Sequence, residues 1–279
     1  MKILDGKKLA GEVTERLKNE VVKLRQNGIV PKLIIFQVGN NPASNVYVRM
    51  KQKKAEEIGA ICRVEKLDES AGEEKLCELI TKFNSDEEVK GIIVQLPLPD
   101  GWDKNRIINM IDEKKDVDGL TDANQIKILN GDLSGLKPAT PKGIVSILDK
   151  YEIPIAGARV VVVGRSRLVG KTVALMLLNR NATVTICHSK TDDLKSVTRE
   201  ADILISAVGV PKLITVKHVK SGAIVVDVGI SQETDTGMVG DVDFEAVKDV
   251  AGMISPVPGG VGPMTVVCLF ENLIDSCQN

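Results

Sequence analysis

The chain has 279 residues, 43% of them hydrophobic and 27% charged, and its 37 Lys and Arg against 38 Asp and Glu leave a formal charge of -1. That balance offers no basic footprint for nucleic acid or for an anionic membrane. Aromatic residues are 3% of the chain and the only histidines are His188 and His218, which excludes rows of side chains for stacking bases and multi-histidine metal sites. A chain of this length buries roughly 75% of the surface its unfolded form exposes, so its core needs no disulfide or metal. The five cysteines contain no C-x-x-C pair and sit mostly among apolar residues; they read as reduced thiols. The start, Met1-Lys-Ile-Leu-Asp-Gly, lacks a signal-peptide apolar region, and no apolar run reaches the ~20 residues that span a bilayer. The expectation is a soluble cytoplasmic protein.

Leu9, Val13, Leu17, Val21 and Leu24 recur at helical spacing and predict an amphipathic helix that stops near Asn27-Gly28. Lys32 to Val38 predicts a strand, closed by Gly39-Asn40-Asn41-Pro42, where an asparagine can cap and a proline can start a helix from Pro42 to Ile58. Shorter signals then alternate: strand Cys62 to Leu67, helix Ala71 to Phe83, strand Gly91 to Leu96, helix Lys104 to Ile111. The turn-rich stretch Asn130 to Pro141 marks a domain boundary. Thr140-Pro141 is expected to cap a helix to Tyr151, before five strand candidates: Arg159 to Val163, Thr183 to Cys187, Ile203 to Ala207, Ile224 to Val228 and Met253 to Ser255. Helical segments near Val169 to Arg180, Asp192 to Arg199 and Phe244 to Val250 separate most of them.

The alternation predicts two α/β domains with mostly parallel sheets covered on both faces, the second a Rossmann-like dinucleotide-binding domain. Met264 to Ile274 is apolar nearly all round and is expected to be a helix buried on several sides that crosses back onto the first domain. The domains are accordingly 1–139 with the returning helix 263–279, and 140–262.

Val160 to Thr172 resembles a phosphate-binding P-loop, but Gly164 and Gly170 have five residues between them, one too many. Nor is it G-x-G-x-x-G, because Ser166 takes the second glycine position. A buried strand, a glycine turn and a helix N-terminus remain, a combination that attracts phosphate, although both glycines could serve only the turn and close packing. An NAD site usually has a carboxylate about 20 residues beyond the glycine loop. Here Cys187-His188-Ser189-Lys190 offers a hydroxyl and a cation, and Arg165 adds a forked donor suited to phosphate. These residues favour NADP over NAD; the alternatives are that Arg165 and Arg167 are merely solvated, or that Asp192 or Asp193 reaches the ribose.

Tyr47-Val-Arg-Met-Lys51, Val94-Gln95-Leu-Pro-Leu-Pro99, Lys115-Asp-Val-Asp118-Gly119, Thr140-Pro-Lys-Gly143, Val163-Gly-Arg-Ser166, Cys187-His-Ser-Lys-Thr191, Val239-Gly-Asp-Val-Asp243 and Pro256 to Thr265 follow one another along the whole chain. In this order the set resembles the bifunctional methylenetetrahydrofolate dehydrogenase/methenyltetrahydrofolate cyclohydrolases. The resemblance implies NADP-linked oxidation of 5,10-methylenetetrahydrofolate, hydrolysis of the methenyl product to 10-formyltetrahydrofolate, one folate site between two domains, and a homodimer.

Tyr47 and Lys51, four apart, share one face of the expected helix. Lysine moves protons near neutral pH only where burial or a neighbour lowers its pKa, and on the residues alone Lys51 reads as one of several wet surface lysines. The resemblance implies that Lys51 is the general acid/base of the hydrolysis, that Gln95 tunes it, that Asp118 accepts the pterin N–H groups, and that Tyr47 lies along the folate. It further implies folate contacts from Val48, Val94 and Leu96, and from Pro258, Gly259, Gly260, Val261, Gly262, Pro263 and Thr265, a segment that also reads as a hinge loop. For the cofactor it implies Gly164, Arg165, Ser166, Ser189 and Ile230. Hydride transfer needs no protein acid or base at the reacting carbon, only orientation; His188 is then expected to flank the ribose and His218 to lie on the surface. Leu120-Thr121-Asp122, Ile126, Ala139 and Thr172 depart from the usual pattern of the family; they flank the sites and leave Tyr47, Lys51, Gln95 and Asp118 intact.

Overall fold

The structure, a computed structural model, describes residues 2–233 and 237–278. The first half of the chain runs β1 (Lys2–Ile3), α1 (Gly6–Gln26), β2 (Lys32–Val38), α2 (Pro42–Ile58), β3 (Ile61–Leu67), α3 (Glu73–Asn84), β4 (Gly91–Val94), α4 (Lys104–Asn109) and α5 (Asp122–Leu129). The second runs α6 (Ala139–Lys150), β5 (Arg159–Val163), α7 (Gly170–Leu178), β6 (Thr183–Cys187), α8 (Leu194–Thr198), β7 (Ile203–Ser206), β8 (Ile224–Asp227), β9 (Ser231–Glu233), β10 (Gly237–Val239), α9 (Phe244–Val247), β11 (Met253–Ile254) and α10 (Val261–Ser276). These elements form two compact units, Glu12–Ala139 with Val266–Asn279, and Met1–Gly11 with Thr140–Thr265.

The unit of Glu12–Ala139 holds a three-stranded sheet in the order β3-β2-β4, all parallel. Ile34, Phe36 and Val38 of β2 form a buried cluster with Leu76, Ile80 and Phe83 of α3 and Ile92 of β4, which is the period-2 face of a strand meeting the apolar stripe of a helix. The last helix returns to this unit. Leu273 of α10 lies where a Cβ on Gly91 of β4 would meet it, and the buried Asn272 side chain donates to the carbonyls of Val117 at 2.9 Å and Lys137 at 2.7 Å.

The other unit holds six parallel strands in the order β1-β11-β8-β7-β5-β6, and a separate antiparallel hairpin of β9 and β10. Val160 to Val163 of β5 and Ile203 to Ser206 of β7 are buried throughout, as parallel strands covered on both faces require. Chain order along the sheet reverses between β5 and β7, and ligands of open α/β sheets bind beyond the carboxyl ends of the strands at such a reversal.

Several expectations need correction. Met1–Gly11 groups with the six-stranded unit because Lys2 and Ile3 pair with Met253 and Ile254; a two-residue strand is too short to show periodicity. Glu69 to Ala71 form a 3-10 turn, and α3 starts only after Gly72, whose φ is 80°. Helix α5, capped by Thr121, was unforeseen, being too short to display a stripe. Thr140 is inside α6, which begins at Ala139, so it is not the cap; its hydroxyl lies 3.0 Å from that of Thr265. His218 is buried rather than on the surface: its Nδ1 accepts from Thr215 N at 3.1 Å, and burial holds its pKa below the ordinary value. No helix among the described residues is long and apolar enough to cross a membrane.

Candidate active site

Asn41 accepts a hydrogen bond from Ser44 N at 3.1 Å and Pro42 occupies the first turn, so the start of α2 is fixed as its sequence requires. One turn on, the Ser44 hydroxyl donates to Leu96 O at 3.1 Å, and the Gln95 amide donates to the same carbonyl at 2.9 Å. Gln95 N donates to Phe36 O at 2.9 Å, which seats Gln95 one step past the end of β4 beside β2. With its NH2 group committed to Leu96, Gln95 turns its Oε1 toward α2, where it accepts from Lys51 Nζ at 3.0 Å. The second helix and the end of the central strand pair therefore meet through Lys51 and Gln95. Tyr47, one turn before Lys51, is 42% exposed, whereas Val48 and Val94 are buried.

Asp118 belongs to the same unit. Asp116 bridges to Ile92 of β4, and its buried carboxylate accepts from Leu120 N at 3.1 Å, Thr121 N at 2.8 Å and Asn124 Nδ2 at 2.9 Å. Gly119 has φ 66°, and a Cβ there would press on the backbone of Lys137 and Pro138. Gln125 donates to Gly119 O at 2.8 Å. The turn that presents Asp118 is thus fixed on one side by the buried Asp116 and on the other by the half-buried Gln125.

Burial lowers the Lys51 pKa, while the charge of Asp118 opposes the shift. The same burial raises the Asp118 pKa, with Lys51 opposing and Asp116 adding to it. Burial thus disfavours the charged form of both groups, while the charge of each favours the charged form of the other. Cys62, close enough to feel Lys51, is pushed up to about 11 by burial and stays a thiol near neutral pH. An amine so placed can take a proton from water and return it, which perturbed groups at a sheet's carboxyl edge are suited to do.

In the six-stranded unit, Gly164 N donates to Cys187 O at 2.9 Å, so Arg165 and Ser189 follow the carboxyl ends of adjacent strands β5 and β6. Gly164 has φ 124°, and a Cβ there would overlap Ala207 O beyond β7; a Cβ on Gly170 would overlap Gly164 O. Both glycines therefore serve close packing. Ser166 Oγ accepts from Val169 N at 3.2 Å and Gly170 N at 3.3 Å, occupying two donors at the start of α7 that were expected to face phosphate. Arg165, Ser189 and Lys190 are exposed. His188 orders its turn, accepting from Lys190 N at 3.1 Å through Nδ1, and Asp193 is committed to capping α8. Ile230, 43% exposed, follows β8, and its Cδ1 would meet a Cβ on Gly262.

Pro258 to Thr265 also lies in this unit, and it is not all loop. Helix α10 starts at Val261, so Gly262, Pro263 and Thr265 are helical, with the proline in the first turn where its missing N–H costs nothing. Lys7 N donates to Gly259 O at 2.8 Å, and Gly260 N to Pro256 O at 2.8 Å. Ser44, Asp116, Asn124 and Asn272 also hold these segments in place. Their signal in the sequence is small, since each is an ordinary polar residue whose role comes only from burial.

Residues 4–118 match the family model for the tetrahydrofolate dehydrogenase/cyclohydrolase catalytic domain, and residues 138–279 match that for the tetrahydrofolate dehydrogenase/cyclohydrolase NAD(P)-binding domain. The chain is 50% identical over 276 residues to the "Bifunctional protein FolD" of Exiguobacterium sibiricum, covering 99% of each chain. It superimposes with a TM-score of 0.99 and 45% identity on a Campylobacter jejuni FolD methylenetetrahydrofolate dehydrogenase/cyclohydrolase, over 100% of this chain and 99% of that one. A Trypanosoma brucei methylenetetrahydrofolate dehydrogenase-cyclohydrolase, solved with NADP and an inhibitor, gives a TM-score of 0.94 at 34% identity, over 99% and 97% of the two chains.

Proposed function

We propose residue roles for this chain on the premise that it belongs to the tetrahydrofolate dehydrogenase/cyclohydrolase family. It is a bifunctional enzyme of one-carbon metabolism. It oxidises 5,10-methylenetetrahydrofolate to the 5,10-methenyl form with NADP, and hydrolyses that product to 10-formyltetrahydrofolate. The observation that carries the residue roles is the 3.0 Å bond from Lys51 Nζ to Gln95 Oε1, in a cluster whose burial drives Lys51 and Asp118 toward neutrality.

In the hydrolysis, neutral Lys51 accepts a proton from the water that attacks the methenyl carbon. It returns that proton to the folate nitrogen as the carbon–nitrogen bond breaks, leaving the formyl group on the other nitrogen. Gln95 holds the amine in place. Asp118, on its fixed turn, accepts from the pterin N–H groups, and Tyr47 lies along the aromatic body of the folate with Val48, Val94 and Leu96 beside it. The segment Pro258 to Gly262, Pro263 and Thr265 completes the folate contacts.

NADP supplies the hydride acceptor when bound. The residues present fit it: the exposed cation and hydroxyl of Arg165 and Ser189 follow adjacent parallel strands, at a sheet reversal, with no acid at the ribose position. Gly164, Ser166 and Ile230 would line the same edge. We assign folate chemistry chiefly to the unit of Glu12–Ala139 with Val266–Asn279, and cofactor binding to that of Thr140–Thr265 with Met1–Gly11. A homodimer belongs to the same reading and rests on the family resemblance. Free Cys62, Cys77, Cys187, Cys268 and Cys277 support a cytoplasmic location, and the near-zero net charge supports a protein with no nucleic-acid partner.

The test follows the methenyltetrahydrofolate chromophore. Wild type with NADP should form and then consume it; Lys51→Met should form it and let it accumulate. A Lys51→Met protein that clears methenyl folate at the wild-type rate overturns the role of Lys51, and a wild type that forms none overturns the dehydrogenase reading.

A further inference from the structure

Under the carboxyl edge of the six-stranded sheet lie two carboxylates that the chemistry above does not use. Asp227 ends β8 and Asp241 follows β10, and both are buried, with 3% and 0% of their surface exposed. Asp241 accepts from Ser206 Oγ at 3.0 Å, Val208 N at 2.8 Å and Val210 N at 2.9 Å. Asp227 accepts from Gly229 N at 3.0 Å, Asp241 N at 3.0 Å and Val242 N at 2.9 Å. Neither side chain tolerates bulk beside it: a Cβ on Gly229 would overlap the Asp241 carboxylate, and one on Gly240 that of Asp227.

Besides Ser206 Oγ and the backbone of Asp241 and Val242, the donors are the backbone of two segments, 208–210 after β7 and 229 after β8. The first adjoins Gly164, where a Cβ would overlap Ala207 O, and the second leads directly into Ile230. The two are also joined at their far ends, where Ser231 Oγ donates to Gly209 O at 3.4 Å. A turn bound through main-chain N–H groups to a buried carboxylate loses its alternative conformations, and charge-assisted bonds of this kind are among the stronger ones. We propose that Asp241 is a positioning residue for the nicotinamide cofactor, its carboxylate holding the Val208–Val210 turn beside the glycine loop, with Asp227 fixing Asp241 in turn.

This rests on the cofactor assignment made above. It differs from a purely structural role in what it spares: hydrolysis of methenyl folate needs no cofactor, so damage confined to this turn should leave that reaction alone. The experiment measures the NADP dissociation constant by calorimetry, the KM for NADP, and the kcat and KM of the cyclohydrolase reaction, for wild type, Asp241→Asn and Ser206→Ala. Asp241→Asn sets an amide NH2 against backbone N–H groups and should weaken NADP binding at least tenfold, with both cyclohydrolase parameters within twofold of wild type. Ser206→Ala removes one donor, leaves the backbone bonds, and should weaken NADP about threefold in the same pattern. The proposal fails if a folded Asp241→Asn protein binds NADP within twofold of wild type, or if both activities fall in proportion. Should Asp241→Asn not fold, Ser206→Ala decides: unchanged NADP affinity, or equal loss of both activities, overturns it. A wild type that does not bind NADP sinks the cofactor assignment instead.

Discussion

The two units each hold a pair of acidic or basic side chains at a sheet's carboxyl edge, half-buried as Lys51 and Asp118 in one and fully buried as Asp227 and Asp241 in the other, and they treat the pair oppositely. Among the described residues, Lys51 has a single hydrogen-bond acceptor, Gln95 Oε1, and the Asp118 carboxylate has no hydrogen bond at all. Asp227 and Asp241 each accept three bonds, five of the six from backbone N–H groups. Burial without saturation leaves a group able to exchange a proton, because neither protonation state is locked by fixed donors. Burial with saturation spends the carboxylate on holding backbone. Perturbed titration alone does not separate the cases, since burial also pushes Asp227 up, to about 7.

The largest effect should come from the unsaturated pair. Lys51→Met is expected to slow hydrolysis roughly 10² to 10⁴-fold, the usual worth of a general acid/base, with the oxidation much less affected. The pH profile sharpens the point. Activity that needs neutral Lys51 rises with pH through its pKa, and burial places that limb below the range of a free lysine. Asp118→Asn removes the charge that holds the Lys51 pKa up, so the limb should move to lower pH; an upward movement contradicts the coupling.

The saturated pair should instead register in stability. The folded pKa of Asp227 is raised from 3.8 to about 7, so between those values the folded state binds the extra proton. Its contribution is fully present below about pH 4 and is lost as pH rises through 7, a difference of about 4 kcal/mol. Burial is the main cause, and the charge of Asp241, whose backbone N–H Asp227 accepts, adds to it. Urea unfolding at pH 4.5 and pH 8 should show wild type losing stability relative to Asp227→Asn as pH rises. A constant difference between the two proteins contradicts the shift.

A smaller effect tests whether the Asp118 turn is fixed from behind. Asn272→Ala removes the buried amide that donates to the carbonyls of Val117 and Lys137, which should cost about 1–3 kcal/mol and raise the folate KM more than the NADP KM. Equal changes in the two would show Asn272 to be structural support only.

What the sequence discloses follows the same division. β2, α2 and the strands from β5 to β8 are legible because long apolar runs and a proline after an asparagine carry local signals. Tyr47 and Lys51 are legible as sharing a helix face. That Gln95 Oε1 faces Lys51, 44 residues before it in the chain, is not, since the orientation comes from the bond of the Gln95 amide to the Leu96 carbonyl. Asp116, Asn272 and the Asp227–Asp241 cluster are invisible for the same reason: each is a short polar residue until distant backbone surrounds it. The start of α10 was misplaced because Gly262-Pro263 reads as loop, although a first helical turn accepts both.

The smallest effect separates surface electrostatics from both buried pairs. Arg165 is exposed at the end of β5 and Ser189 at the end of β6, and a cation there favours a ribose phosphate without contributing to the core. Arg165→Leu should weaken NADP binding about tenfold, ~1.4 kcal/mol, while NAD binding stays within twofold and the unfolding midpoint does not move. Because the charge is solvated, the gap between wild type and variant should narrow as salt is raised, since the Debye length shortens to about 3 Å at 1 M. The loss in Asp241→Asn, arising from buried bonds, should not narrow. If the Arg165→Leu deficit is the same at both ionic strengths, or extends equally to NAD, then Arg165 does not recognise the extra phosphate. Discrimination would then fall to Ser189 and Lys190 in the turn after the neighbouring strand.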